Sequence, residues 1–230
     1  LNNGLDVDRA TLLVLEIAQN IASAKEILEA FSDSQRTEVE KYDLKVSKNR
    51  SVVLPSVNGI ANKCKEFFQK SDHALDELSR YRRLHTWKLG LWFRSTCLPY
   101  TFYSQYIDNF LEVLDNMLPF LQFVRNTRNC VEHPRVDQRI ITTDFSINPE
   151  NQLLPPSIEV VHPKTPQEQV PVVELMSQVV NSIVDIVEVM LAFLCNRQIR
   201  PVSGFPVQVH IFPENQRQTK SIKYGYGVAT

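Results

Sequence analysis

Only six glycines occur in the 230 residues, and none sits in a run able to wrap a phosphate, which argues against a nucleotide-hydrolysing loop. The four cysteines, Cys64, Cys97, Cys130 and Cys195, stand far apart without a C-x-x-C pair. That spacing argues against zinc ribbons and redox motifs and fits free thiols in a reducing compartment. His73, His85, His162 and His210 are scattered with no second ligand at metal spacing, so neither a metal nor a cofactor is expected. Charges interrupt the longest apolar stretches before the roughly 18 residues that a membrane helix needs. Neither a span nor a signal peptide is therefore read, and a cytoplasmic protein without membrane contact is expected. Charge of one sign is lacking too: the formal net charge is −1, so affinity for nucleic acid would have to come from a local basic patch. No internal repeat or low-complexity tract is visible.

What is present is globular: 43% apolar and 22% charged residues suffice for one well-buried core and exclude a disordered or collagen-like chain. Leu13, Ile17, Ile21, Ala24, Leu28 and Phe31 recur every three to four residues, predicting a helix from about Asp8 to Phe31. The polar stretch Ser32 to Ser51 is expected to be a connection, with an alternation of Tyr42, Leu44 and Val46 suited to a small edge strand. Val57, Ile60, Cys64, Phe67, Phe68, Leu75 and Leu78 predict a second helix from Pro55 to Leu84, with Pro55 in its first turn. A third helix is expected over Ser104 to His133, kinked or restarted at Pro119 and ended by Pro134.

Between Arg139 and Pro163 the pattern turns β-branched, with Arg139 to Phe145 and Ser157 to Val161 forming a small inserted hairpin. Val172, Met176, Val179, Val180, Ile183, Val187, Met190, Leu191 and Leu194 then mark a fourth helix. Glu168 and Glu174 near its start and Arg197 and Arg200 near its end suit its dipole. Val207, Val209 and Ile211 alternate with polar residues as a strand able to pair with Ile222 to Tyr226. The expected fold is mainly α: one helical domain over 1–200 with the hairpin inserted at 139–163, and a short C-terminal β segment and tail, 201–230, packed on the same domain.

The chemically loaded segment is the end of the third helix. Arg125, Arg128, Asn129, Glu132 and His133 stand at i, i+3, i+4, i+7 and i+8 and share a polar face. A guanidinium, an amide and an imidazole can converge there on one anionic group, and a phosphate suits them. Arg128-Asn129-x-x-x-His133, at a helix end and followed by another long helix, resembles the R-x4-6-H motif of HEPN domains, with Asn129 matching the polar residue that family favours after its arginine. The resemblance spans roughly Pro55 to Arg200. HEPN proteins are helical bundles whose larger members often carry a small β insertion after the motif.

The resemblance implies a metal-independent endoribonuclease, in which a ribose 2′-hydroxyl attacks the adjacent phosphate and leaves a cyclic-phosphate end. Arg128, Asn129 and His133 would be its catalytic residues, in a toxin or bacterial defence component restrained or activated by a protein partner. Histidine is the one residue type in the cluster whose ordinary pKa lies near neutrality, which points to His133 for proton transfer, and Arg128 offers a planar fork of donors. One histidine does not easily hold both protonation states, so a homodimer facing two motifs would supply acid and base together. Asn129 would orient His133 or bond a phosphate oxygen, with Arg125 an auxiliary contact.

Blander readings stand beside these. Arg128 and Glu132, at i and i+4, suit a surface ion pair, and some HEPN domains are non-catalytic interaction or nucleotide-sensing modules. Arg80, Arg82, Arg83, Lys88 and Arg94, interleaved with Tyr81, His85, Trp87, Trp92 and Phe93, either grip RNA through phosphates and stacked bases or form a loop whose aromatics plug the core. If the segment grips RNA, Arg82→Ala with Arg83→Ala weakens single-stranded RNA binding alike for all sequences and lowers the slope of log affinity against log salt by about 1 to 2. Filter binding across a salt series checks this, and an unchanged slope leaves the core-plug reading.

Overall fold

The computed structural model describes residues 7–42, 53–84, 104–198, 205, 207–217, 219 and 222–228. The first helix, α1, covers Val7–Lys41 and so continues well past the end of its apolar stripe at Phe31. The part of the expected connection from Ser32 to Lys41 is helical because its charges pair along the helix surface. Asp33 binds Arg36 at 2.8 Å, Glu38 binds Lys41 at 3.1 Å, and Thr37 Oγ1 donates to the Asp33 carbonyl at 2.8 Å. Leu44 and Val46, of the expected edge strand, lie outside the described residues.

Ala10, Ile17, Ala24 and Phe31 are buried at seven-residue intervals along α1, with Leu13 between the first two. On the second helix, α2 (Ile60–Leu84), Ile60, Cys64, Phe67, Ser71 and Ala74 are buried at alternating steps of four and three. These are matched 3.5-residue seams, and the two helices pack along each other. Their antiparallel sense follows from Lys63, whose Nζ lies 5.6 Å from the Phe31 ring centre, and from Glu16 and Asn20, which line one groove with Lys70 and Glu77. α2 begins at Ile60 instead of Pro55 because Gly59 takes a left-handed φ of 71°, which a helix does not accommodate.

The third helix, α3 (Ser104–Glu132), packs on the other side of α2 and runs unbroken through Pro119. An exposed position lets the helix carry the missing N–H there with water as the substitute partner. Phe68 joins the helices, meeting Phe67 edge-on with ring centres 5.3 Å apart and Phe123 at 6.5 Å.

After α3 the chain forms β1 (Arg139–Thr143), a short pair β2 (Ser146–Ile147) and β3 (Leu153–Leu154), then β4 (Ser157–Val161) and β5 (Gln167–Pro171). β4 lies between β1 and β5 in a three-stranded antiparallel sheet, with Ile140 opposite Val160 and Ile158 opposite Val170. The inserted hairpin is therefore one strand wider than expected. Glu168, expected at a helix start, lies in β5, where Pro166 and Pro171 bracket the segment and disfavour helical geometry. Two hydrogen-bonded ties lock the insertion. Asp144 accepts from Ser56 Oγ at 2.6 Å and from Val57 N at 3.2 Å, and Val172 N donates to the Pro156 carbonyl at 2.9 Å.

The fourth helix, α4, covers Val172–Gln198. Contrary to the reading of interrupted apolar stretches, its Val172–Phe193 segment is, by length and composition, long and apolar enough to cross a membrane. Val172, Leu175, Met176, Val179, Val180 and Ile183 are nevertheless buried inside the protein, as in a core helix. The chain divides within α4 into two compact units, Leu1–Ile183 and Val184–Thr230. In the second, β6 (Val207–Ile211) pairs antiparallel with β7 (Tyr224–Val228), matching the strand pairing expected near the C-terminus. Asn196 Oδ1 accepts from Val209 N at 3.0 Å, and Lys223 binds Glu188 at 2.8 Å. A Cβ on Gly225 would come within 2.1 Å of the Phe212 ring, so a larger residue at this strand position requires that ring to move. The whole is mainly α with small antiparallel sheets.

Phe67 is fully buried between the helical seams. Phe67→Ala is expected to cost about 3 to 5 kcal/mol, read as a lower urea midpoint at unchanged slope. A loss below about 1 kcal/mol would contradict its place in the core.

Candidate functional site

Packing α2 against α3 sets two polar rows face to face. Gln69, Asp72 and Asp76 recur at i, i+3 and i+7 on α2, and Arg125, Arg128 and Glu132 repeat that spacing on α3. The rows meet in antiparallel order. Gln69 Nε2 donates to Glu132 Oε1 at 2.6 Å, while Arg125 reaches Asp72 at 3.6 Å and Asp76 at 3.5 Å.

Within α3 the ion pair suited to the i, i+4 spacing is formed, with Arg128 Nη2 at 2.7 Å from Glu132 Oε2. Arg128 Nη1 donates to Asn129 Oδ1 at 3.3 Å, and its Nε is buried without a hydrogen-bond partner among the described residues. The arginine and asparagine of the motif are thus in direct contact. The helix ends at Glu132, one residue earlier than expected, because Pro134 disfavours helical geometry at the residue before it. His133 N still donates to the Asn129 carbonyl at 2.8 Å, and the His133 side chain is exposed.

The α3 end is fixed from behind by the sheet. Cys130 is buried against β4, its thiol donating to the Val161 carbonyl at 3.7 Å, and burial followed by the nearby Asp137 charge pushes its pKa up. It is a packing residue. Burial likewise pushes the Cys64 thiol up to about 12, so neither is poised as a nucleophile. Asn126 Nδ2 donates to Thr165 Oγ1 at 3.1 Å, and His162 Nδ1 accepts from the Lys164 and Thr165 amides at 3.2 and 3.1 Å. His162 therefore shapes a turn beside α3.

The carboxylates of the seam differ in character. Burial pushes Glu132 up, yet the Gln69 hydrogen bond and the Arg128 and His133 charges outweigh it, so its carboxyl lies below the ordinary value. Asp72 lies above its ordinary value, because burial exceeds the opposing pull of Arg125 and Arg128 and the Asp76 charge adds to it. Both candidate phosphate-binding cations accordingly have carboxylate partners, whereas the imidazole faces solvent.

Arg80, Arg82 and Arg83 fall on the last turns of α2 with side chains outside the described set, and Trp87, Lys88 and Arg94 lie outside the described residues altogether. Gln69, Asp72 and Asp76 were missed in the sequence. Their signal was a polar i, i+3, i+7 row on a helix already rich in charge, with nothing local to name its partner. Among the described residues no group of three His, Cys, Asp or Glu is placed to hold a metal ion. No family model, curated protein or solved structure matches the chain.

A carboxyl whose pKa is lowered on folding contributes stability above its unfolded pKa and loses it as pH falls through the folded one. Glu132→Gln is therefore expected to lower the thermal midpoint at pH 7, with the gap to the parent closing below the ordinary carboxylate range. Paired melts from pH 7 to pH 3 check this, and a gap independent of pH would remove Glu132 as its source.

Proposed function

We propose that this chain is a metal-independent endoribonuclease of HEPN type acting as a homodimer. The observation that carries the proposal is the convergence at the end of α3, where Arg128 donates to Asn129 and the exposed His133 stands one turn beyond that asparagine. In the proposed reaction the 2′-hydroxyl oxygen attacks the adjacent phosphorus and gives its proton to one His133. The bond to the leaving 5′-oxygen breaks as the protonated His133 of the second copy supplies a proton to it. The products are a 2′,3′-cyclic phosphate and a 5′-hydroxyl, with no net consumption of acid, base or metal. Arg128 stabilises the extra charge on the phosphorane oxygens, and Asn129 orients His133 or bonds a phosphate oxygen. A toxin or defence role, with a protein partner that restrains or activates it, belongs to the same proposal, as does a cytoplasmic setting.

A second reading, a non-catalytic HEPN-like interaction module, is favoured by one specific feature: Arg128 and Arg125 each already face carboxylates. The two readings part in one experiment. Purified protein and its His133→Ala variant are incubated with mixed cellular RNA in chelator, and the new ends are mapped. The ribonuclease predicts cyclic-phosphate ends from the parent and a loss of about 100-fold or more in the variant, the scale of a general acid or base. Equal cutting by both would remove His133 from the mechanism. No cutting by either, with both folded and dimeric, selects the interaction module.

A further inference from the structure

We infer that Glu132 is a built-in competitor for the anion at Arg128, and that Gln69 on α2 holds it in that position. This deepens the proposed function, since it rests on Arg128 as the phosphate contact. A guanidinium grips phosphate best through two parallel N–H bonds. In Arg128 the Nε is buried, so the fork must come from the two terminal nitrogens, and one N–H of each already has a partner: Nη2 the Glu132 carboxylate at 2.7 Å, Nη1 the Asn129 amide oxygen at 3.3 Å. Asn129 is neutral and belongs to the motif. Glu132 brings a full negative charge to the cation that an incoming phosphate must approach.

That carboxylate is not loosely placed. Its side chain is 13% exposed, and its second oxygen accepts from Gln69 Nε2 at 2.6 Å. For Glu132 to withdraw from Arg128 it must either carry that bond with it or break it, so the exchange of carboxylate for phosphate is coupled to the contact between α2 and α3. Glu132 is on this account a positioning residue: it acts through Arg128 by setting how readily that side chain becomes available. An ion pair that served stability alone would give, on neutralisation of its carboxylate, only the gain of one removed charge, and that gain would survive Arg128→Ala.

Glu132→Gln keeps the shape and removes the charge; its one acceptor oxygen stays on Arg128 if the Gln69 amide turns so that its own oxygen accepts from the new NH2. The probe is inorganic phosphate, titrated at constant ionic strength into the full chain and followed by calorimetry, with Arg128→Ala made in both backgrounds. Glu132→Gln is expected to bind phosphate about tenfold more tightly, the scale of one like charge removed at short range near a surface. Arg128→Ala is expected to abolish the gain. Gln69→Ala, which frees the carboxylate without neutralising it, is expected to shift affinity in the same direction by a smaller factor, and it serves if Glu132→Gln does not fold.

Equal or weaker phosphate binding by Glu132→Gln would overturn the inference. So would tighter binding that survives Arg128→Ala, or no phosphate binding by any folded form. RNA assays on the same proteins separate this from the ribonuclease proposal. A phosphate response as expected without RNA cleavage upholds the competitor and sinks the nuclease. RNA cleavage with no phosphate response does the reverse.

Discussion

The hydrogen bond from Gln69 to Glu132 is the constraint on which the candidate site depends, because it ties the polar end of α3 to a different helix. Without it, Arg128 and Glu132 would be one more pair of charges along a helix surface, worth a few tenths of a kcal/mol. With it, the pair is drawn into a contact shared by α2 and α3, where Glu132 is largely shielded and its carboxyl stays charged. Asp72 and Asp76 add the same logic one and two turns away through Arg125. An apolar seam joins α1 to α2, whereas the opposite side of α2 meets α3 through aromatic rings and charges together. That division allows one small helical assembly to have both a dry core and a polar helix end able to change partners.

The fold was legible where residues speak for themselves. The apolar stripes of α1, α2 and α4, the strands on either side of the insertion and the pairing of β6 with β7 all follow from local periodicity. Boundaries were lost where another force overrode it. α1 outruns its stripe because Asp33, Arg36, Glu38 and Lys41 support a solvated helix end, and α2 starts late because of the backbone at Gly59. β5 was hidden because Gln167, Glu168 and Gln169 have little strand character of their own; pairing with β4 supplies it.

At the candidate site the α3 residues were readable and their surroundings were not. The spacing of Arg128 and Glu132 announced their ion pair. Gln69, Asp72 and Asp76 stayed silent, since a polar residue on a helix is ordinarily a solvated one. Only the antiparallel approach of α3 gives those three a role. Pairing between residues so distant in sequence leaves no mark in a single chain.

The seven-residue spacing of Ala10, Ile17, Ala24 and Phe31 has a consequence for how this chain can change over generations. A repeat shorter than the helix's own periodicity can keep facing its partner only if the two helices coil gently around each other in a left-handed sense. Point changes on the outer faces leave that geometry alone. Inserting or deleting one codon in the middle of α1 turns everything beyond it by about 100° about the axis, and swings charged residues into the seam. Variation in α1 should therefore proceed by substitution, while changes in length gather where the helices end.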